Sequence, residues 1–587
     1  MAQTNVLDIR NLSVGFETEK GMIHAVNDIS FTLAKGETVG IVGESGSGKT
    51  VSALSLIRLI PQPPGKITGG EILFNSPSSG TATVDLARCS ENEIRKIRGK
   101  DIAMIFQEPM TSLNPVFTCG EQLVECIRIH NRNISGREAK KRAIAFFDEV
   151  LLPGPENFFD AYPHQLSGGQ KQRVMIAMAI SCNPAVLIAD EPTTALDVTV
   201  QATILSLLKK LRERYQMSLI FISHDLGVIS EVADRVMVMY KGKFVEQGTI
   251  SEVFIHPAHP YTKGLLACRP SLDNKLHRLP VISDFMQVDS NGKVTEKETS
   301  VAAVLTSYQT DEKQETSRKK QLYDQQPLLR VESLKTWFPA RSEALTGKRQ
   351  FIKAVDDVSF EVFPGETLGI VGESGCGKTT LGRTIVRLVE PTGGRVIYSG
   401  NDITKLNRQE MRRQRKRVQI IFQDPYASLN PRISIGEALM EPMTVHDLHQ
   451  DPRKRKEKAL ELLELVNLDP SHFNRYPHEF SGGQRQRVVI ARALAVQPEF
   501  IICDESVSAL DVSIQAQVLN LLNDLKKDFG LSYIFISHDL SVVKFMCDRV
   551  IVMKKGKIEE SGTPEKIYLN PGSPYTKKLI EAIPRGV

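Results

Sequence analysis

GIVGESGSGKT (40–50) decides the reading of this chain, and GIVGESGCGKT (369–379) repeats it with ten of eleven positions identical. Both contain G-x-x-x-x-G-K-T, from Gly43 to Thr50 and from Gly372 to Thr379. An apolar, strand-like run leads in (ETVGIV, ETLGIV) and a helix-like run leads out (TVSALSLIRLI, TTLGRTIVRL). That is the context a phosphate-binding loop requires. Gly43, Ser45, Gly46, Ser47 and Gly48 let backbone N–H groups wrap an anion, and the helix N-terminus adds positive potential. Gly372, Ser374, Gly375, Cys376 and Gly377 do the same in the second copy. Lys49 and Lys378 are placed for the β- and γ-phosphates, and the hydroxyls of Thr50 and Thr379 for Mg2+. By average composition such a pattern arises by accident about 0.02 times in a chain this long. Two matches in the register of a repeat leave little room for chance.

The repetition extends well beyond the loop. IFQEPMTSLNP (105–115) returns as IFQDPYASLNP (421–431), and YPHQLSGGQKQR (162–173) as YPHEFSGGQRQR (476–487). FISHDL stands at 221–226 and 535–540, and PYTK at 260–263 and 574–577. The offset is 329 at Gly43/Gly372, 316 at Gln107/Gln423 and a constant 314 from Ser167/Ser481 to Pro260/Pro574. The extra residues of the first copy fall mostly around 61–90, where PQPPGK and NSPSSGTATVD read as surface loop. A unit of about 260 residues is too long for a solenoid repeat. It is a whole domain in tandem, 5–270 and 327–587. Residues 271–326, rich in Ser, Thr, Gln, Lys and Glu, are expected to be a flexible linker that keeps the two domains close.

Composition narrows the class. Lys and Arg number 74 against 69 Asp and Glu, a net charge of +5 over 587 residues. A dedicated nucleic-acid binder clusters far more positive charge, so no nucleic-acid partner is expected. Hydrophobic residues at 41% and charged residues at 24% exclude a collagen, a wholly disordered chain and a small disulfide scaffold. The eight cysteines form no CxxC pair, which speaks against a zinc site or a disulfide framework. MAQTNVLDIR lacks the basic head and apolar core of a signal peptide, and no run of 18 apolar residues occurs. A cytoplasmic chain in a reducing compartment is expected.

Each copy also has an apolar strand ending in paired acids, VLIADE (186–191) and FIICDE (500–505). Asp190 and Asp504 are placed for the Mg2+ shell, and Glu191 and Glu505 for polarising an attacking water. An isolated Asp-Glu pair is more often a surface turn; two phosphate loops reverse that weighting. Strand, phosphate loop and helix, then FQE or FQD, SGGQ, DE and SHD, all twice, resemble the ATP-binding cassette (ABC) ATPases. The resemblance covers nearly the whole chain outside the linker. It implies an α/β fold of two tandem P-loop NTPase domains. Each is a RecA-like core with a mixed β-sheet plus antiparallel β and helical subdomains. It also implies ATP and Mg2+ as the bound groups.

Residue by residue, the resemblance makes Ser167, Gly168, Gly169 and Gln170, with Ser481, Gly482, Gly483 and Gln484, the two signatures. Gln107 and Gln423 match the Q-loop, which touches Mg2+ and faces the membrane partner. Ala195-Leu196-Asp197 and Ala509-Leu510-Asp511 match the D-loop, and His224 and His538 the switch histidine. A lone histidine is more often structural; the fixed register with the other motifs lifts these two. Phe16 and Phe338 stand where the family stacks an aromatic ring on adenine. In SGGQ, small residues open a helix N-terminus to a phosphate. In the family that helix faces the phosphate loop of the other domain, so 43–50 would pair with 481–484 and 372–379 with 167–170. The cassettes would then pair within one chain.

GESGSGKT, NPxxxxGE, DVTVQATIL/DVSIQAQVL and the HPAHPYTKGLL/NPGSPYTKKLI tails are similar to the dipeptide, oligopeptide and nickel importer branch. Both ATPase subunits of that branch look fused here. The resemblance implies a motor peripheral on the inner face of the bacterial plasma membrane. Its partners would be two integral-membrane permease subunits and a substrate-binding protein. Di- or oligopeptide is the leading cargo, with glutathione or a metal complex as the alternative. The competing class is a twin-cassette ATPase acting on ribosomes or nucleic acid. That type usually has a long helical connector, and 271–326 hold little helix-period apolar pattern. Three details carry bland and sharp readings. Cys376 is either a thiol activated at a helix N-terminus or, the favoured reading, a small residue in a backbone cradle. His256 and His259 suggest a metal, but a proline-bracketed loop is favoured; Cys268 alone cannot hold an iron–sulfur cluster. Ser506 replaces Pro192 after the glutamate, a change of modest expected effect.

Overall fold

The apolar runs that carry the motifs become fully buried strands. A computed structural model describes residues 5–19, 21–75, 83–194, 196–272, 275–289, 293–297, 300–339 and 351–584. In the first cassette every residue of Thr38–Val42, Val186–Asp190 and Ser218–Ile222 is buried. Runs apolar on both faces are what parallel strands covered on both sides require. The six-stranded sheet runs Lys243–Thr249, Arg235–Tyr240, Thr38–Val42, Ser218–Ile222, Val186–Asp190, Ile102–Ile105. Only its first pair is antiparallel. The second cassette repeats this order with Lys557–Gly562, Arg549–Lys554, Thr367–Val371, Ser532–Ile536, Phe500–Asp504 and Val418–Ile421.

That strand order positions the site. Phosphate loop, SHD turn, DE pair and FQE turn leave the carboxyl ends of four successive parallel strands. Ligand crevices of open parallel sheets form at that edge. Motifs far apart in the chain therefore meet there.

On one face lies a four-stranded antiparallel sheet, Gly21–Ala34, Asn5–Thr18, Gly65–Asn75 and Thr83–Asp85. Val14, Ile29, Leu33, Ile41, Ala53 and Ile220 pack between the two sheets and the helix Lys49–Leu56. Residues 61–64 are exposed, as expected of a loop, but Gly65–Asn75 and Thr83–Asp85 are strand. Residues 76–82 of NSPSSGTATVD lie outside the described residues. On the other face the helices Cys119–His130, Gly136–Glu149 and Gly168–Ile180 bury Leu123, Ile127, Phe147 and Val174 against Leu187 and Phe221. Thr118 and Ser135 cap the first two, each stabilising its helix by about 1 kcal/mol.

Residues 271–326 depart from the flexible coil expected of them. Their described part carries strands Met286–Val288 and Val294–Glu296 and helices Val301–Ser307 and Glu312–Tyr323. Helix Glu312–Tyr323 lacks an obvious apolar stripe because ion pairs and a ring contact hold it to other elements. Arg318 pairs with buried Asp548, Glu315 with Lys275 at 3.2 Å, and Tyr323 meets Phe363 edge-on at 5.3 Å. Upstream, Asn520 donates to the Leu279 carbonyl at 2.8 Å and accepts from its amide at 2.9 Å. Toward the first cassette, Met286 joins the apolar cluster and Lys263 meets Glu296 at 2.5 Å. The segment is a strap laid across both cassettes.

Two candidate nucleotide sites

Glycine is required where the chain comes closest to itself. Gly48 and Gly377 have φ near +108° and +109°, and a Cβ would collide with the carbonyls of Ala25 and Ala354. Only glycine takes that backbone without strain. The next residue, Lys49 or Lys378, is buried at the helix start. Lys49 Nζ donates to the carbonyls of Gly43 and Glu44 at 2.7 and 2.8 Å. Lys378 donates to Gly372 and Glu373 at 2.8 and 3.0 Å. An ammonium has three donors, so each lysine keeps one for an anion.

The acids sit directly below. Thr50 Oγ1 donates to Asp190 Oδ1 at 3.2 Å and Thr379 Oγ1 to Asp504 Oδ1 at 2.9 Å. The second oxygen of Asp504 is buried and has no hydrogen-bond partner among the described residues. A hydroxyl beside an orphaned carboxylate oxygen is a hard oxygen donor set that fits Mg2+. Burial pushes Asp190 up to about 6, against the opposing Thr50 hydroxyl, and raises Asp504 as well. The folded chain thus keeps a proton that the unfolded chain has released, and stability falls as pH rises from 3.8 through 6. Asp190→Asn is therefore expected to raise the melting temperature of metal-free protein at pH 7.5. The gain should be equivalent to at most ~3 kcal/mol. Below pH 3.8, where both states are protonated, it should vanish. Thermal scans at both pH values check this, and a gain independent of pH would remove burial as its cause.

Glu191 and Glu505 directly follow their strands with φ of 48° and 49°, in the left-handed region. For a residue with a Cβ this costs on the order of 1 kcal/mol and recurs at functional sites. Each amide still donates to the neighbouring strand, at Ile222 and Ile536, both at 2.9 Å. Glu191 Oε2 then accepts from Gln107 at 3.0 Å and Thr194 at 2.9 Å, and meets His224 Nδ1 at 3.1 Å. Glu505 Oε2 likewise meets Gln423 at 2.8 Å and His538 at 3.3 Å. One carboxylate oxygen thus gathers the FQE/FQD glutamine and the SHD histidine in both cassettes. Burial alone would raise Glu191, but the hydrogen bond and charge of His224, with Lys49 nearby, hold it down to about 2. Glu505 is lowered in the same way beside His538. Burial would lower His224, yet Glu191 outweighs it and raises the imidazole.

Local helix physics accounts for much of SGGQ. Ser167 and Gln170 form a capping box, the Ser167 amide donating to Gln170 Oε1 at 2.9 Å. Ser481 and Gln484 repeat it at 3.1 Å. A Cβ on Gly169 or Gly483 would run into Val200 or Ile514 of the next helix. Among the described residues a Cβ on Gly482 would meet nothing within 4 Å, and one on Gly168 would make only an ordinary van der Waals contact with Leu196. One glycine of each pair serves packing and the other keeps the helix end open.

The cassettes meet at the phosphate loops. The Ser45 amide donates to Asp511 Oδ2 at 2.8 Å, and the Ser374 amide to Asp197 Oδ2 at 3.2 Å. Ser513 bonds to the Glu44 carboxylate, and Thr199 to that of Glu373 at 3.3 Å. Hydrogen bonds from the other cassette thus reach each loop from the D-loop aspartate and the helix after it. Ala195 lies outside the described residues. Phe16 pairs across the sheet with Ile23 and Phe338 with Ile352, two residues from the Ala25 and Ala354 carbonyls that touch the loops. Cys376 is buried and burial pushes its thiol up, against the activated-thiol reading. His259 accepts from the Tyr261 amide at 3.2 Å and caps a helix. Among the described residues no group of three or more His, Cys, Asp or Glu is placed to hold a metal ion.

Sequence reasoning passed over Glu44, Glu373, Thr199 and Ser513, and also the tyrosines of PYTK. The tyrosine hydroxyls accept from the phosphate-loop amides of Glu44 and Glu373 at 3.1 and 3.2 Å. The signal available was the constant 314-residue offset that ties PYTK to the half of each unit carrying SGGQ, DE and SHD.

The ABC transporter family pattern matches residues 26–194 and 355–508. The C-terminal region of oligopeptide/dipeptide transporters matches 245–288 and 560–586, around both PYTK tails. Relatives named glutathione import ATP-binding protein GsiA, from Shigella boydii serotype 4 and Escherichia coli K12, are each 49% identical. The matches run over 581 and 585 residues, 99% of this chain and 90% of theirs. A solved dimeric ATP-binding cassette in a post-hydrolysis state with ADP and Pi is 28% identical. It covers 40% of this chain and 98% of its own, with a TM-score of 0.37. Among the described residues no helix is long and apolar enough to cross a membrane. Matched twice by the family pattern and by relatives over almost its whole length, the chain belongs to the ABC transporter ATPases, with both cassettes in one polypeptide.

Proposed function

We propose that this chain is the ATP-hydrolysing motor of an importer for short peptides of the glutathione class. One observation carries the motor reading. Each phosphate loop is bonded by its own cassette and by the D-loop aspartate of the other, so nucleotide binding and cassette pairing share residues. That is a switch whose two arrangements a terminal phosphate can bias. The cargo class rests on the GsiA relatives and on the oligopeptide/dipeptide C-terminal region.

In this reading Lys49 and Lys378 bind the phosphates, with the loop amides from Gly43 to Thr50 and Gly372 to Thr379. Ser167–Gln170 and Ser481–Gln484 supply amides to the nucleotide of the other cassette, and Phe16 and Phe338 stack the base. Thr50, Asp190 and Gln107, with Thr379, Asp504 and Gln423, would hold Mg2+. When bound, the ion neutralises charge on the β- and γ-phosphates. Glu191 and Glu505, ionised in place, orient and polarise the attacking water. His224 and His538 hold those glutamates and offer a donor to a terminal phosphate.

Two permease subunits and a substrate-binding protein are the proposed partners, with the chain docked on the inner face of the plasma membrane. Exposed apolar residues after the Q-loops support docking there: Val116 is 71% and Tyr426 65% exposed. Beside Tyr426, a cleft lined by Leu429, Pro431, Ile433 and Ala438 could seat a helix of such a subunit. The test is uptake of labelled glutathione and of a labelled dipeptide by cells with and without the gene. Loss of glutathione uptake is expected. Loss of dipeptide uptake alone would shift the cargo to the oligopeptide reading. Unchanged uptake of both, with ribosomal proteins co-purifying, would end the importer reading.

A further inference from the structure

PYTK opens a helix in both cassettes, Pro260–Ala267 and Pro574–Glu581, and its tyrosine is buried in each. Proline at the first position and the capping His259 or Ser573 fix where the helix begins. The cap accepts the tyrosine's own amide at 3.2 Å in both copies. The rings are supported differently. Tyr261 lies against Tyr240, centroids 4.5 Å apart, whereas Lys554 Nζ stands 4.6 Å above the Tyr575 ring. Yet both hydroxyls arrive at the same atom of the phosphate loop, the amide of the residue after its first glycine.

That amide belongs to an informative peptide unit. The peptide between Gly43 and Glu44 has its N–H on Tyr261 and its C=O on Lys49 Nζ. The peptide between Gly372 and Glu373 has its N–H on Tyr575 and its C=O on Lys378 Nζ. A trans peptide holds these two groups in one rigid plane, pointing in opposite directions. Whatever fixes the N–H therefore fixes where the C=O points. The first glycine, with φ of +153° or +149°, gives this plane freedom that only a partner can remove. An amide spent on tyrosine is also kept from competing for phosphate.

We propose that Tyr261 and Tyr575 are positioning residues: their hydroxyls orient the Gly43–Glu44 and Gly372–Glu373 peptides, and through them the phosphate-loop lysines, for nucleotide. The C-terminal tail of each cassette is then part of the frame of its own ATP site. The inference rests on the assignment of Lys49 and Lys378 to nucleotide binding. Loss of one hydrogen bond of this kind corresponds to about five-fold in an equilibrium constant.

The test uses the full chain with one site silenced at a time. Tyr261→Phe is read in a Lys378→Ala background and Tyr575→Phe in Lys49→Ala, by titration with a fluorescent ATP analogue. Phenylalanine keeps the buried ring, so the tail should stay folded, which a thermal scan verifies. Each change should weaken binding about five-fold relative to its background, and in the otherwise unaltered chain raise KM for ATP more than it lowers kcat. Affinity within two-fold of background for both variants, or a lowered melting temperature with unchanged affinity, would overturn the proposal. If the Lys49→Ala/Lys378→Ala double variant still binds the analogue as the parent does, the phosphate-loop assignment itself fails and this inference with it.

Discussion

Glu191→Gln combined with Glu505→Gln is expected to cut ATP turnover by about 10²–10⁴-fold while nucleotide stays bound. Glutamine keeps the size of the side chain and an oxygen for Gln107, Thr194 and Gln423 to bond. What it removes is the negative charge, the one property a water molecule needs from that position. That charge is secure, because Glu191 is held at about 2 and Glu505 is also lowered. Phosphate release measured at saturating ATP checks the rate, and retention of labelled nucleotide checks the binding. Turnover within ten-fold of the parent would reject the assignment.

The same substitution has a second, independent reading. Glu191 adds stability present above its ordinary 4.5 and lost as pH falls toward about 2. His224, raised by Glu191, adds stability present below its ordinary 6.5 and lost as pH climbs through its raised value. The pair is worth most between pH 4.5 and 6.5, so Glu191→Gln should destabilise most in that window. His224 should then titrate lower, which NMR of the imidazole would register.

Lys49→Ala with Lys378→Ala is expected to weaken nucleotide binding itself rather than slow hydrolysis of bound nucleotide. Each ammonium is buried and rests on two neutral carbonyls, so its remaining donor and its charge are free for an anion. Charge-assisted hydrogen bonds of this kind contribute about 1.5–3 kcal/mol each, or roughly 10–150-fold per site in affinity. Removing the ammonium also removes a desolvation burden, so the nucleotide-free protein should not lose stability in proportion. Equilibrium titration of each single variant separates the two sites. A variant that keeps parental affinity but loses turnover would move the lysine from binding to catalysis.

Much of this site was legible before any fold was known, for a local reason. The glycine-lysine spacing of the phosphate loop, the acid pair at a strand's end and the histidine after a buried strand are each written in a few contiguous residues. They encode backbone conformations and side-chain chemistry that need no distant partner to be recognised. The strap between the cassettes was not legible. EKQETSRKKQLY has almost no apolar pattern, and its helix is held by Arg318 on Asp548 and Tyr323 on Phe363. A helix stabilised by contacts with other parts of the chain, one of them 230 positions away, leaves no periodic trace.

What the sequence by itself determined is the chemistry: two complete sets of phosphate-binding, acidic and histidine motifs in one repeated unit. What only the tertiary structure decided is their partnership. Asp511 reaches Ser45 across 466 positions, Asp197 reaches Ser374 across 177, and Tyr261 reaches Glu44 across 217. Each bond depends on where two separately folded elements come to rest within a few tenths of an ångström. Spacing along the chain carries no record of that distance, because hydrogen bonds between distant elements are selected by packing and not by local backbone preference.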